Sequence, residues 1–153
     1  IPRENVTKSI ELCNERLAEV DFQKCFNVDF DMECGDLSVA FIKTIDEMKD
    51  IFGQGIKEPL VHIKNIPIWS ESFFVMGKNS NSWKVINDEG YAFVKFNVDV
   101  DKDEVLQIYN SNLDREEEYS LGSIDVVGTV SINNYNNILT PQIIIKDYIF
   151  SKG

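Results

Sequence analysis

Ile124-Asp-Val-Val-Gly-Thr-Val-Ser-Ile-Asn-Asn-Tyr-Asn-Asn-Ile-Leu-Thr-Pro-Gln-Ile-Ile-Ile-Lys-Asp-Tyr-Ile-Phe150 is two apolar runs joined by an Asn-rich reversal. Its first arm alternates. Val126, Gly128, Val130 and Ile132 share one face and Val127, Thr129, Ser131 and Asn133 the other, the period of a half-buried strand. Asn133, Asn134, Asn136 and Asn137 tolerate the left-handed backbone of a tight hairpin turn. The second arm, Gln142 to Phe150, is rich in β-branched and aromatic residues. A lone hairpin is marginal, so this one needs partner strands from upstream.

Those partners are legible as short apolar runs. Leu60–Ile68, Ser72–Met76, Ser82–Ile86 and Tyr91–Val98 are separated by Gly- and Asn-containing turns. With the hairpin they make five or six strands in residues 56–153, a count that suits a small closed or partly open barrel. Val105, Leu106 and Tyr109 predict a short helix inserted before the closing hairpin.

Residues 1–55 have a different texture. Val6, Ile10, Cys13, Leu17 and Val20 recur at helical spacing. Phe26, Val28, Phe30, Met32 and Cys34 then alternate with Asn27, Asp29, Asp31 and Glu33 as in a strand with one solvated face. Phe41, Ile42, Ile45, Met48 and Phe52 mark a second helix, capped by Asp36 or Ser38 and stopped by Gly53. Gly53, Gly55 and Pro59 punctuate the chain. The expectation is an α+β arrangement: a helix–strand–helix subdomain over residues 1–55, then an OB-like barrel over 56–153.

The 153 residues carry 15 basic and 26 acidic side chains, a net charge of −11. Such a balance normally argues against a nucleic-acid partner. The bias is local: residues 99–118 hold 8 acids and 2 bases, and the rest of 56–153 holds 6 acids and 7 bases. The three cysteines and single histidine have no disulfide or zinc spacing, and no run reaches the length of a membrane span. A reducing cytoplasm is therefore expected, and the start at Ile1 without methionine suggests a fragment.

Asp99, Asp101 and Asp103 open like a calcium loop, but Glu104 replaces the required glycine and Asn110 the closing glutamate. No phosphate loop, nucleophile–histidine pair or other catalytic centre is visible. Binding has more support. Taking Ala92, Val94, Phe96 and Val98 as inner leaves Tyr91, Phe93, Lys95 and Asn97 outward, with Trp83 and Lys84 one turn earlier. Aromatics interleaved with lysine and asparagine suit single-stranded nucleic acid, where rings stack on bases and amines meet phosphates.

Two segments carry a family resemblance. Ile51-Phe-Gly-Gln-Gly-Ile-Lys-Glu-Pro59 is similar to the P-F-G-x-G-N-P-x-P signature that precedes the OB-fold of RecJ-type single-strand-specific DNA exonucleases. Asp125 to Asp147 resembles that domain's last hairpin, with its D-x7-N-x-[YF]-N-x4-P-Q-L pattern. Ile1 to Asn5 is similar to the start of the helix that follows the family's glycine-rich DHHA1 motif. Ile51, Ile56 and Lys57 depart from the signature, as a divergent, phage-encoded member would.

The resemblance implies a C-terminal piece of a metal-dependent 5′→3′ exonuclease. Its Asp-His-His motif, and the aspartates that hold manganese or magnesium, would lie upstream, so no catalytic or metal-binding residue and no cofactor is assigned within residues 1–153. The partners implied are single-stranded DNA and the parent's catalytic domains, without a membrane. The DNA-contact candidates are Lys78, Trp83, Lys84, Tyr91, Lys95, Asn134, Tyr135 and Gln142. The alternative is a protein-interaction module whose acidic residues 99–118 dock a basic partner.

Overall fold

The computed structural model describes residues 25–53 and 55–153. The helix expected over the first twenty residues, with Cys13 and the DHHA1-like start, lies outside the described residues. Seven strands form one mixed sheet in the order β1-β2-β6-β7-β5-β4-β3. They are β1 (Phe30–Glu33), β2 (Val61–Trp69), β3 (Phe73–Met76), β4 (Ser82–Ile86), β5 (Ala92–Lys95), β6 (Ser120–Tyr135) and β7 (Ile138–Lys152), with helices α1 (Val39–Glu47) and α2 (Glu104–Ser111). The expected α+β, OB-like architecture is observed. Six strands fall within residues 56–153 and β1 adds a seventh; the sheet stays open, with β1 and β3 as its edges.

The closing hairpin is the centre of that sheet. Tyr135 pairs with Ile138 across a two-residue turn, and Asn136 and Asn137 take φ of 51° and 63°. Both central residues being left-handed matches the right-handed twist of the strands they join. Midway, the register shifts between Val127 and Gly128. A side chain at Gly128 would run into the Ile144 carbonyl oxygen, so this position demands the residue without one.

Everything else pairs outward from the hairpin. β2 lies antiparallel to β6, and β5 lies parallel to β7. β1 is shorter than the alternation from Phe26 predicts, because it pairs, in parallel, only with Val61–Lys64. Asp29 ends that pairing: its N–H donates to the Leu60 carbonyl at 2.8 Å and its carboxylate accepts from the Leu60 N–H at 2.9 Å. Ser38 caps α1 by accepting from the Phe41 N–H at 3.2 Å, and the Asp46 carboxylate accepts from the Ile132 N–H, tying α1 to β6. Ile42 and Ile45 of α1 join Val61, Ile63, Val126 and Val130 in the core.

At the other side of the core, α2 is held by a polar plug. Asp103 is the N-cap of α2, accepting from the Leu106 N–H at 2.9 Å. It also accepts from Trp83 Nε1 at 3.2 Å and from the Tyr148 hydroxyl at 2.7 Å. Burial, reinforced by the Asp103 contact, pushes the Tyr148 phenol far above its ordinary range and keeps it a neutral donor. The carboxylate that resembled a calcium ligand in sequence is thus committed to three internal donors.

Candidate nucleic-acid interface

Strand register decides which candidate side chains can meet a common ligand. Phe74, Lys84, Val94, Ile144 and Thr129 stand directly opposite one another in a row across β3, β4, β5, β7 and β6. Ile86, Ala92, Gln142 and Ser131 form the adjoining row on the same face. Following β6 by twos from Ser131 brings this face to Tyr135 at the hairpin tip. Lys84, Gln142 and Tyr135 are therefore brought onto one face. Phe74 belongs with them, and none of the residues in these rows is a carboxylate.

The polar and aromatic groups of the strip are poised differently. Tyr135 is 71% exposed. Gln142 is half-buried and donates from Nε2 to Ser131 Oγ at 3.1 Å, which leaves its carbonyl oxygen as an acceptor. Lys84 carries its ammonium 5.7 Å from the centroid of the Phe74 ring, a cation–π contact on a 43% exposed aromatic. Phe74 was missed in sequence although the signal was present: in the Phe73-Phe74 pair, one ring must face outward.

The other candidates lie elsewhere. Lys95 pairs with Trp83 on the opposite face from Lys84, and its ammonium donates to the Lys146 carbonyl oxygen at 3.1 Å. Asn134 alternates with Tyr135 and takes the opposite face, exposed. Lys78 sits in the exposed β3–β4 turn, where Gly77 has φ 91° and Ser80 φ 53°, and makes no ion pair among the described residues.

Trp83 and Tyr91 correct the expectation of exposure. Trp83 is 0% and Tyr91 6% exposed. The Trp83 ring lies 5.5 Å from Phe73 and edge-on to Tyr148 at 5.4 Å, inside the core. Phe93, also taken as outward, is opposite Val85 and fully buried, whereas Phe96, taken as inner, is 49% exposed. β5 runs between β4 and β7 with Ala92 and Val94 buried as well as Phe93, so both of its faces are apolar and alternation cannot tell them apart.

Beyond β6 the same sheet carries charges that are already paired. Asp31 on β1 meets His62 Nδ1 at 3.0 Å and Lys64 at 3.7 Å, and Glu33 meets Lys64 at 3.3 Å. A 2.6 Å hydrogen bond from Asn65 Nδ2, helped by Lys64, holds the Glu33 carboxyl below its usual range, and Glu33 in turn raises the Lys64 ammonium. Lys64 thus stays charged and faces two carboxylates, Asp31 and Glu33. Among the described residues no group of three or more His, Cys, Asp or Glu side chains could hold a metal ion, so the manganese or magnesium of an exonuclease has no fitting donor set there. No described helix is long and apolar enough to cross a membrane.

The family model for the RecJ OB domain matches residues 28–147. A putative SPbeta prophage-derived single-strand DNA-specific exonuclease of Bacillus subtilis strain 168, YorK, is 27% identical over 144 residues, covering 94% of this chain and 23% of the relative. Its counterpart in Bacillus phage SPbeta matches with the same figures. The chain thus spans about a quarter of the length of these relatives. Among solved structures, RecJ of Thermus thermophilus with Mn2+ aligns at TM-score 0.44 and 15% identity, covering 74% of this chain and 15% of that one. The Mg2+ form aligns at TM-score 0.47 and 15% identity, covering 76% and 16%.

Proposed function

The chain belongs to the RecJ OB domain family, and from that premise we propose that it is the non-catalytic, single-strand-DNA-contacting region of a metal-dependent 5′→3′ exonuclease. The match across residues 28–147 carries this reading, and the relatives named as single-strand DNA-specific exonucleases support it. The DNA lies along the strip from Phe74 and Lys84 past Gln142 to Tyr135. A base stacks on Tyr135, Gln142 offers its free carbonyl oxygen to a base edge, and Lys84 meets a phosphate. Lys78 adds charge at one end, and Asn134 contacts the strand where it rounds the hairpin tip. Lys95 acts only on a strand that also reaches the opposite face. The residues ahead of the OB match belong to the DHHA1-like part of the parent, and the protein works in the cytoplasm.

Affinity on this reading is electrostatic and stacking in origin, so it is weak and salt-dependent. Fluorescence anisotropy with labelled oligo-dT is expected to show binding that falls as salt rises from about 50 to about 200 mM. Tyr135→Ala removes a stacking surface of about 1–3 kcal/mol, a loss of roughly fivefold or more. Lys84→Ala weakens binding and flattens the salt dependence. Absent or salt-independent binding refutes the proposal.

A further inference from the structure

A second surface, of opposite character, lies where the sheet fails to close. The end of β2, the start of β3 and the turn between β4 and β5 form a cleft lined by Trp69, Glu71, Phe74, Asp88, Glu89 and Glu118. Trp69 is 45% exposed although it ends a strand whose alternate residues Ile66 and Ile68 are fully buried. The four carboxylates are all exposed, and none forms an ion pair among the described residues. They come from three separate stretches of chain, so folding gathers them around the two rings. Of the acidic stretch 99–118, only Glu118 takes part.

This chemistry repels phosphate and selects cations. Carboxylates around an aromatic face add charge-assisted hydrogen bonds to a cation–π contact, the pairing that suits a guanidinium or ammonium group. The fold already shows the aromatic half of it, since the Lys84 ammonium sits over Phe74. Beside the cleft runs β3, an edge strand of four residues whose outer backbone groups have no strand partner among the described residues. An edge strand offers hydrogen bonds to an extended main chain, which a small free cation cannot use.

We propose that this cleft docks a basic peptide segment of a partner protein, with an arginine or lysine side chain stacked on the Trp69 indole between the carboxylates. The site adjoins the DNA strip at Phe74 and Ile86 and has its own carboxylates and indole, so it does not depend on that strip. Charge complementarity identifies the occupant: an acid-ringed aromatic cleft on a chain of net charge −11.

The two tryptophans make the test direct, because Trp83 is buried and only Trp69 can report the cleft. Titrating a short arginine-rich peptide into the intact chain is expected to change Trp69 emission saturably, an effect lost in Trp69→Phe. Neutralising Asp88, Glu89 and Glu118 together (Asp88→Asn, Glu89→Gln, Glu118→Gln) weakens binding by about tenfold or more. Neutralising three remote acids, Glu47→Gln, Asp50→Asn and Asp101→Asn, leaves it within about twofold. Equal weakening by the two sets would reduce the effect to net-charge attraction and overturn the proposal. So would free arginine saturating as tightly as the peptide, peptide binding without a Trp69 response, or oligo-dT producing that response itself. Failure here leaves the oligo-dT anisotropy experiment untouched, and the reverse holds.

Discussion

The plug under α2 and the cleft at the open seam use the same ingredients, a tryptophan and carboxylates, to opposite ends. In the plug, Asp103 is 8% exposed and spends its oxygens on Trp83, Tyr148 and the Leu106 N–H. In the cleft, four carboxylates gather around Trp69 and form no ion pair among the described residues, while the Lys84 ammonium lies over the neighbouring Phe74 ring. A buried polar group must be satisfied or it costs stability, so the plug is closed and structural. Exposed groups satisfied by water carry no such obligation, and the cleft is free to exchange that water for a ligand. Residue type therefore says little about role in this molecule; satisfaction by the fold says more.

The sharpest way to break this contrast is to truncate each tryptophan. Trp83→Ala should cost about 3–5 kcal/mol in urea unfolding through loss of burial and the cavity left behind, whereas Trp69→Ala should stay within about 1 kcal/mol. Equal losses would mean that Trp69 is a core residue. Next comes Asp103→Ala, which removes a helix cap and orphans the buried Trp83 donor and the half-buried Tyr148 hydroxyl. About 2–4 kcal/mol is expected, against about 0.5 kcal/mol or less for Glu118→Gln. The smallest effect concerns the cleft wall. Burial first, and the nearby Glu89 charge, raise the Cys34 thiol against the opposing Asn87 hydrogen bond. A raised pKa leaves less thiolate at about pH 8. Peptide mass spectrometry should then show Cys34 alkylated more slowly than exposed Cys25, with Glu89→Gln speeding Cys34 modestly. Faster labelling of Cys34 would show the cleft wall to be open.

Where one face is wet and the other dry, the sequence was readable. The alternation of Val126 to Ile132, the Asn reversal, the Ser38 cap and the α2 stripe of Val105, Leu106 and Tyr109 all survived folding. Legibility failed where both faces are dry: in β5 the apolar pattern is continuous, so its parity comes from cross-strand register with Val85 and Ile143, which no local signal contains. The parallel pairing of β1 with β2 is equally non-local. Of the eight contact candidates, the three on the strip share a face through register alone, and Trp83 was misplaced because a Trp between Ser82 and Lys84 reads as exposed until Asp103 is seen above it.

The position of the hairpin in the sheet also orders events in time. β6 and β7 are the central strands, and they alone join the β1–β2 pair to the β3–β4–β5 set. They are also the last of the seven strands to leave the ribosome. Until residues 120–152 are synthesised, β2 and β5 each present an unpaired side, and neither half of the sheet has the other to bury its apolar face. The two-residue turn lets the late hairpin close locally, so the nascent domain waits with two open halves and is then zipped from its middle.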